Sequence, residues 1–271
     1  MWPVARRVPR LAAGRARVLG LPTRGTTNPN RLRRVDRWIV GTQSARLRDA
    51  VRPLVVDLGY GQRPVTTVEL AQRLAAVRAD IEVLGLEIDA DRVVAAQPYA
   101  DPPQLRFDAG GFELAGQRPV LVRALNVLRQ YDEAAATEAW TTMTARLAPG
   151  GLLIEGTSDE LGRKACWVAV DAGGPLTLTL AARAGSLNRP SELAERLPKC
   201  LIHRNVPGER VHAFLTAFDA AWDARAPYSA FGPRQRWAAA VENLLDQGWP
   251  VVGRSARWRL GEISVRWEAV S

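Results

Sequence analysis

Histidine and lysine are almost missing from this sequence of 271 residues: His203, His212, Lys164 and Lys199 are the whole supply. Cysteine is equally sparse. Cys166 and Cys200 stand far apart without CxxC spacing, so no disulfide framework or zinc site is written in the chain, and a reducing compartment is the default. No run of about 18 apolar residues escapes a charge, so no span of a membrane is expected. The early stretch "LAAGRARVLGLP" is broken by Arg15 and Arg17. It therefore lacks the uninterrupted apolar segment of about 7–15 residues that a secretory signal needs, and a cytoplasmic location is expected. Acids are absent from residues 1–34, which hold nine arginines. Taking those nine from the 37 basic residues leaves 28 against 28 acids, so the net charge of +9 belongs to a tail. Two readings of residues 1–30 stand side by side: a disordered extension, or part of an anion-binding arm that reaches nucleic acid through residues 1–34.

What is present is alternation. After a turn-rich joint at residues 24–30, "RLRRVDRWIVGTQSARLRDAV" has helical spacing, with Leu32, Val35, Ile39 and Val40 on one side. Apolar strands then alternate with helices. "LVVDLG", "IEVLGLEID", "QLRFDAG", "RPVLVRALNVL" and "GLLIEGT" read as five strands, and Pro64 suits the first position of the helix after the first of them. This is the pattern of a doubly wound, mostly parallel α/β sheet with helices on both faces. From residue 164, "KACWVAVDAGGPLTLTLAAR" reads as an antiparallel edge hairpin turning at Gly173–Gly174. Residues 190–248 read as mostly helical, and the end as a closing hairpin with its turn near Gly261. The expected organisation is a basic tail (1–30), a cofactor-binding α/β domain (31–182) and a C-terminal helical and strand extension (183–271) that selects the substrate. Seven tryptophans from Trp140 onward read as packing anchors rather than a stacking platform for bases.

The first strand runs into Asp57-Leu58-Gly59-Tyr60-Gly61-Gln62-Arg63-Pro64. In an open parallel sheet, ligands sit outside the carboxyl ends of the strands. A nicotinamide or flavin fingerprint wants G-x-G-x-x-G, but Pro64 holds the third glycine's place. An acid two residues before the first glycine gains nothing from a pyrophosphate and a good deal from a cationic amine. With Asp57, Gly59 and Gly61, and with Glu87 ending the second strand, the chain resembles the class I S-adenosylmethionine-dependent methyltransferases, whose first motif is D/E-x-G-x-G-x-G. Arg63 departs from the last glycine of that motif. The resemblance covers about residues 50–157. "RALNVLRQYDE" and "LAPGGLLIEG" are similar to the family's fourth-strand motif and its turn into strand five.

The resemblance implies S-adenosylmethionine as cofactor. It assigns the methionine end to backbone around Gly59, Tyr60 and Gly61 with Asp57 orienting it, and the ribose hydroxyls to Glu87 beside Ile88. Asp108 and Ala109 fall at the adenine, and Asn126 falls where cofactor and substrate meet. It implies in-line methyl transfer to an oxygen or nitrogen acceptor, with no resident metal. Asn126, Tyr131 and His203 are the candidates for the catalytic side. Each has a plain structural competitor: a satisfied amide, a rim tyrosine and a structural histidine. A small-molecule acceptor is the leading expectation. The alternatives are an RNA methyltransferase using the arginine arm and a cofactor-binding protein without catalysis. Oligomeric state is not legible.

Overall fold

The computed structural model describes residues 27–271. The expected tail therefore lies outside the described residues, except for residues 27–30. The first helix, expected as one piece, is two: α1 (Arg33–Thr42) and α2 (Ser44–Asp49). The Thr42 hydroxyl donates back to the Trp38 carbonyl at 2.7 Å, a bond that bends a helix, and Gln43 leaves helical geometry with φ −111° and ψ 6°.

Five strands follow in the expected places: β1 (Leu54–Leu58), β2 (Glu82–Glu87), β3 (Leu105–Ala109), β4 (Leu121–Leu125) and β5 (Leu152–Ser158). Helices α3 (Val65–Ala75), α4 (Ala90–Ala96) and α5 (Glu133–Thr144) connect them. Asp89 caps α4 by accepting from the amides of Asp91 and Arg92, and Asp132 caps α5 by accepting from the Ala135 amide at 2.8 Å. β6 (Lys164–Asp171) and β7 (Gly174–Ala182) form the expected hairpin. The C-terminal part adds α6 (Lys199–Ile202), α7 (Arg210–Ala224), α8 (Pro233–Asp246), β8 (Val251–Val252), α9 (Ser255–Trp258) and β9 (Glu262–Arg266).

All nine strands join one sheet in the order 3-2-1-4-5-6-7-9-8. Strands β1 to β5 pair in parallel, and every pair from β5–β6 onward is antiparallel. Two sequence expectations are corrected here. The β6–β7 hairpin is interior rather than at an edge, because β9 pairs with the far side of β7. The closing hairpin does not turn at Gly261: β9 pairs back with β8, across α9. Gly261 serves a close approach instead, since at φ +78° a Cβ there would come within 2.1 Å of the Ala182 carbonyl oxygen.

The strands bury both faces, and their side chains alternate between two cores. Leu54, Val56 and Leu58 of β1 join Cys166, Val168 and Val170 of β6 on one face, under α5, α7 and α8. Val55 of β1 joins Ala165, Trp167 and Ala169 of β6 on the other, under α1 and α3. The tryptophans act as packing anchors: Trp237 meets Phe218 edge-on at 5.0 Å, and Trp38 meets Trp167 at 5.8 Å. Both cysteines are free, with Cys166 buried. No helix of the described residues is long and apolar enough to cross a membrane.

Candidate functional site

The parallel strands deliver Asp57, Glu87, Asp108, Asn126 and Ser158 to the same carboxyl edge of the sheet. Between β1 and α3 the chain turns through Gly59 at φ +70° and Gly61 at φ +81°, which only glycine adopts without strain. Glu87, 1% exposed at the end of β2, holds this turn. Its carboxylate accepts from the Gly61 amide at 3.0 Å and the Ile88 amide at 3.0 Å, and Arg92 lies 3.4 Å away. The Gly59 amide donates to the Leu86 carbonyl at 2.7 Å. The two sequence-expected landmarks, glycine turn and second acid, are therefore hydrogen-bonded to each other.

Asp57 is also buried, but its charge is engaged from within the protein. Arg123, in the middle of β4 and 0% exposed, forks onto it with Nε at 2.8 Å from Oδ1 and Nη2 at 2.7 Å from Oδ2. The Thr67 hydroxyl donates to Oδ2 at 2.6 Å. The remaining Arg123 nitrogen, Nη1, is bonded to Asp36 of α1, and Asp36 also receives Arg73 at 2.8 Å. Burial pushes the Asp36 carboxyl up to about 6, against the pull of Arg123 and then Arg73. Burial opposes the Arg123 charge, yet the carboxylates of Asp57 and Asp36 outweigh it and raise its pKa. With Glu69, 3.3 Å from Arg73, three acids and two arginines thus form a charge network around the end of β1. Sequence reasoning had no place for Asp36, Thr67 or Arg123. The available signal was a charged residue inside the otherwise apolar "LVRAL".

Asn126, directly after β4, adopts φ +64°, a left-handed conformation that asparagine tolerates better than most side chains. Its amide donates to the Gly156 carbonyl at 2.7 Å, and its side-chain oxygen accepts from the Ser158 amide at 2.9 Å. Gly156 is glycine because a Cβ would meet the Cys166 oxygen at 2.1 Å. Asn126 lines two adjoining cavities. The smaller, about 30 Å³, lies against Asp57, Gly59, Tyr60 and Gly61 and is closed by Thr27, Arg31 and Leu32. The Thr27 hydroxyl donates to the Tyr60 carbonyl at 2.9 Å. The larger, about 680 Å³, is bordered by Arg31, Arg129, Gln130, Ser158, Asp159 and Arg196, among others. Burial lowers the pKa of Arg129, as does the neighbouring charge of Arg196, so guanidinium groups crowd this cleft.

The other expected site residues are placed less centrally. Asp108 and Ala109 end β3 exposed to solvent, and the Asp108 carboxylate accepts from the Ala109 amide at 2.7 Å. Tyr131 packs edge-on against Phe112 at 5.5 Å and borders neither cavity described above. His203 is exposed at the end of α6 and borders neither of them. Among the described residues no group of three or more His, Cys, Asp or Glu could hold a metal ion.

Compared with known proteins, the chain matches no family model and no curated protein. It is similar in part to solved structures. One is magnesium protoporphyrin IX methyltransferase (ChlM) from Synechocystis PCC 6803 with bound SAH, at 26% identity and a TM-score of 0.33, over 46% of this chain and 53% of that one. Another is the cyclopropane synthase MmaA2 from Mycobacterium tuberculosis, at 16% identity and a TM-score of 0.35, over 45% and 42%. A third is the glycopeptide N-methyltransferase MtfA, at 16% identity and a TM-score of 0.36, over 54% and 62%. The chain thus spans about half the length of the first two structures it matches.

Proposed function

We propose that this protein binds S-adenosylmethionine at the carboxyl edge of β1, β2 and β4 and transfers its methyl group to an oxygen or nitrogen of a small molecule held in the adjoining cleft. One observation carries the reading: the glycine turn, held by the buried Glu87, lines a small cavity that shares Arg31 and Asn126 with a cleft of about 680 Å³. That volume suits a small ligand. The residues present fit the cofactor in kind. Glu87 offers a carboxylate for paired hydroxyls, Gly59 and Gly61 let backbone approach closely, and Asp108 and Ala109 stand one strand further along the same edge. When bound, the cofactor supplies the electrophilic methyl group, and the protein's share is alignment and exclusion of water.

On this reading Asp57 has a different duty from the one its sequence position suggests. With both oxygens on Arg123 and Thr67, it fixes the turn and leaves the net charge of the site near balance. Asn126 ties β4 to the Ser158 backbone and so sets the wall between the cofactor side and the acceptor side. The small-molecule acceptor is supported by the size of the cleft and by the small charge excess of residues 27–271, 31 basic residues against 28 acids. No specific observation in that cleft favours RNA over it.

A thermal shift tests the reading. Ligand present at about 100 times its dissociation constant stabilises by roughly 2.7 kcal/mol. S-adenosylhomocysteine should therefore raise the melting temperature by several degrees, and NADH should leave it unchanged. The reverse pattern would refute the assignment.

A further inference from the structure

A third cavity, of about 370 Å³, is lined by five arginines, Arg33, Arg34, Arg37, Arg183 and Arg234, with Glu262. The topology explains the convergence. Arg33, Arg34 and Arg37 lie on the first turns of α1, Arg183 follows β7, Arg234 opens α8 and Glu262 starts β9. This cavity and the proposed acceptor cleft share no lining residue, and the loop that follows β5 links them through hydrogen bonds. Arg34 Nε donates to the Gly162 carbonyl at 3.0 Å, while Arg31 Nε donates to the Asp159 carbonyl at 3.1 Å.

The charge in this cavity is only partly balanced by the protein, since Glu262 and Asp159 act on Arg34 and Glu262 on Arg37. Among the described residues, the guanidinium groups of Arg33, Arg37, Arg183 and Arg234 make no hydrogen bond or ion pair. Arg34 donates only to neutral carbonyls, of Gly162 and Leu260. The one acid in the lining, Glu262, is already taken by Arg257, with Nε at 2.8 Å and Nη2 at 2.6 Å. Residues 1–26 cannot supply the missing counter-charge, since they hold six arginines and neither Asp nor Glu. Burial, and then the charge of Arg33, lowers the Arg34 pKa to about 10 against the pull of Glu262 and Asp159, so the positive charge is held there at a cost. The amino end of α1, at Arg33, adds its partial positive charge to the same place.

We propose that this cavity is a binding site for a compact phosphate-bearing anion, one with two or more negative charges. Several guanidinium forks around one space suit phosphate oxygens, which accept paired N–H donors. The size favours a small ligand. A cavity of about 370 Å³ is at the lower end of ligand pockets, whereas nucleic acid needs a groove that tracks several nucleotides. The phosphate group belongs to a handle on the acceptor or to a separate effector, and the chemistry of recognition is the same for both.

Calorimetric titration of the full chain with inorganic pyrophosphate tests the site, in wild type, in Arg37→Gln/Arg234→Gln and in Arg48→Gln/Arg146→Gln. Arg37 and Arg234 are exposed, so their replacement leaves the fold intact, and the second pair removes the same charge away from the cavity. Pyrophosphate should bind wild type with a micromolar dissociation constant at physiological salt. The cavity variant should bind at least tenfold more weakly, and the control pair should bind within twofold of wild type. No binding by folded wild type would overturn the proposal, as would equal losses in both variants. Tight binding of a short single-stranded RNA that pyrophosphate fails to displace would also overturn it, in favour of a nucleic-acid surface. Adding pyrophosphate to a titration with S-adenosylhomocysteine then sorts the two sources: an acceptor handle leaves cofactor affinity within twofold, and an effector shifts it further.

Discussion

Arg123 is the residue whose loss the fold should feel most. It is fully buried between Asp57 and Asp36, and its removal would leave buried Asp57 without a counter-charge and Asp36 with Arg73 alone. Breaking one partner out of a buried ion network costs about 3–5 kcal/mol. Arg123→Leu should lose that much in urea unfolding, and a loss under about 1 kcal/mol would contradict the network. Arg123→Lys should recover little, because a lysine cannot make the planar fork. Glu155, on β5, is buried and forms no ion pair among the described residues. Burial pushes its carboxyl up to about 8, partly offset by the Trp140 indole. A carboxyl raised in the folded state is protonated there while the unfolded chain has already ionised. Stability is therefore lost as pH climbs from about 4.5 to about 8, and levels off above. Glu155→Gln should remove that loss. Equal to wild type at pH 4, it should be more stable at pH 8.5 by a few kcal/mol, since each tenfold change in proton affinity is worth about 1.4 kcal/mol. Equal stabilities at both pH values would show that the buried carboxyl carries no such load. Little of this was legible beforehand. Asp57 could be recognised as an acid ending a strand, but its partner Arg123 is 66 residues away and Asp36 a further step across the fold, so no local pattern joins them.

At the scale of elements, the alternation of apolar strands with helices was legible because burial on both faces forces continuous apolar strands. All five parallel strands fell where that pattern put them, whereas the β6–β7 hairpin, expected at the edge, lies inside the sheet. The strand order beyond β7 was not legible, since β8 is only two residues, Val251–Val252, and its pairing depends on α9 folding back. The site elements were half legible: the glycine turn and Glu87 declare themselves, but the closing segment at Thr27–Leu32 carries no local signal. That segment has a consequence for binding. The cavity it closes is about 30 Å³, far below the roughly 300 Å³ at which ligand pockets begin. A cofactor seated against the glycine turn would compete with this segment for that space, and the Thr27 hydroxyl bond to Tyr60 is one of the contacts it would displace. A single hydrogen bond is worth about 1 kcal/mol, roughly a fivefold change in affinity. Thr27→Val should tighten S-adenosylhomocysteine by two- to fivefold in equilibrium titration. Fivefold weaker binding would mean that the segment helps hold the ligand instead of competing with it.

Over the whole molecule, one sheet carries two chemistries along one edge: a glycine turn with a buried acid, and an arginine cavity linked to the loop after β5. Both lie outside the carboxyl ends of the parallel strands or beside the β7 and β9 ends that flank them. The excess of arginine was visible in the sequence as a property of the tail. Its convergence inside the folded part was not, because Arg33, Arg183 and Arg234 are brought together only by the sheet. The central claim is that the glycine turn holds S-adenosylmethionine, and calorimetric titration with S-adenosylhomocysteine addresses it most directly, on wild type, Glu87→Gln and Glu87→Ala with NADH alongside. Wild type should bind S-adenosylhomocysteine in the micromolar range, Glu87→Gln at least tenfold more weakly while still folded, Glu87→Ala weaker still, and NADH not at all. Absence of S-adenosylhomocysteine binding by a folded wild-type protein, or unchanged affinity in both variants, would contradict the claim.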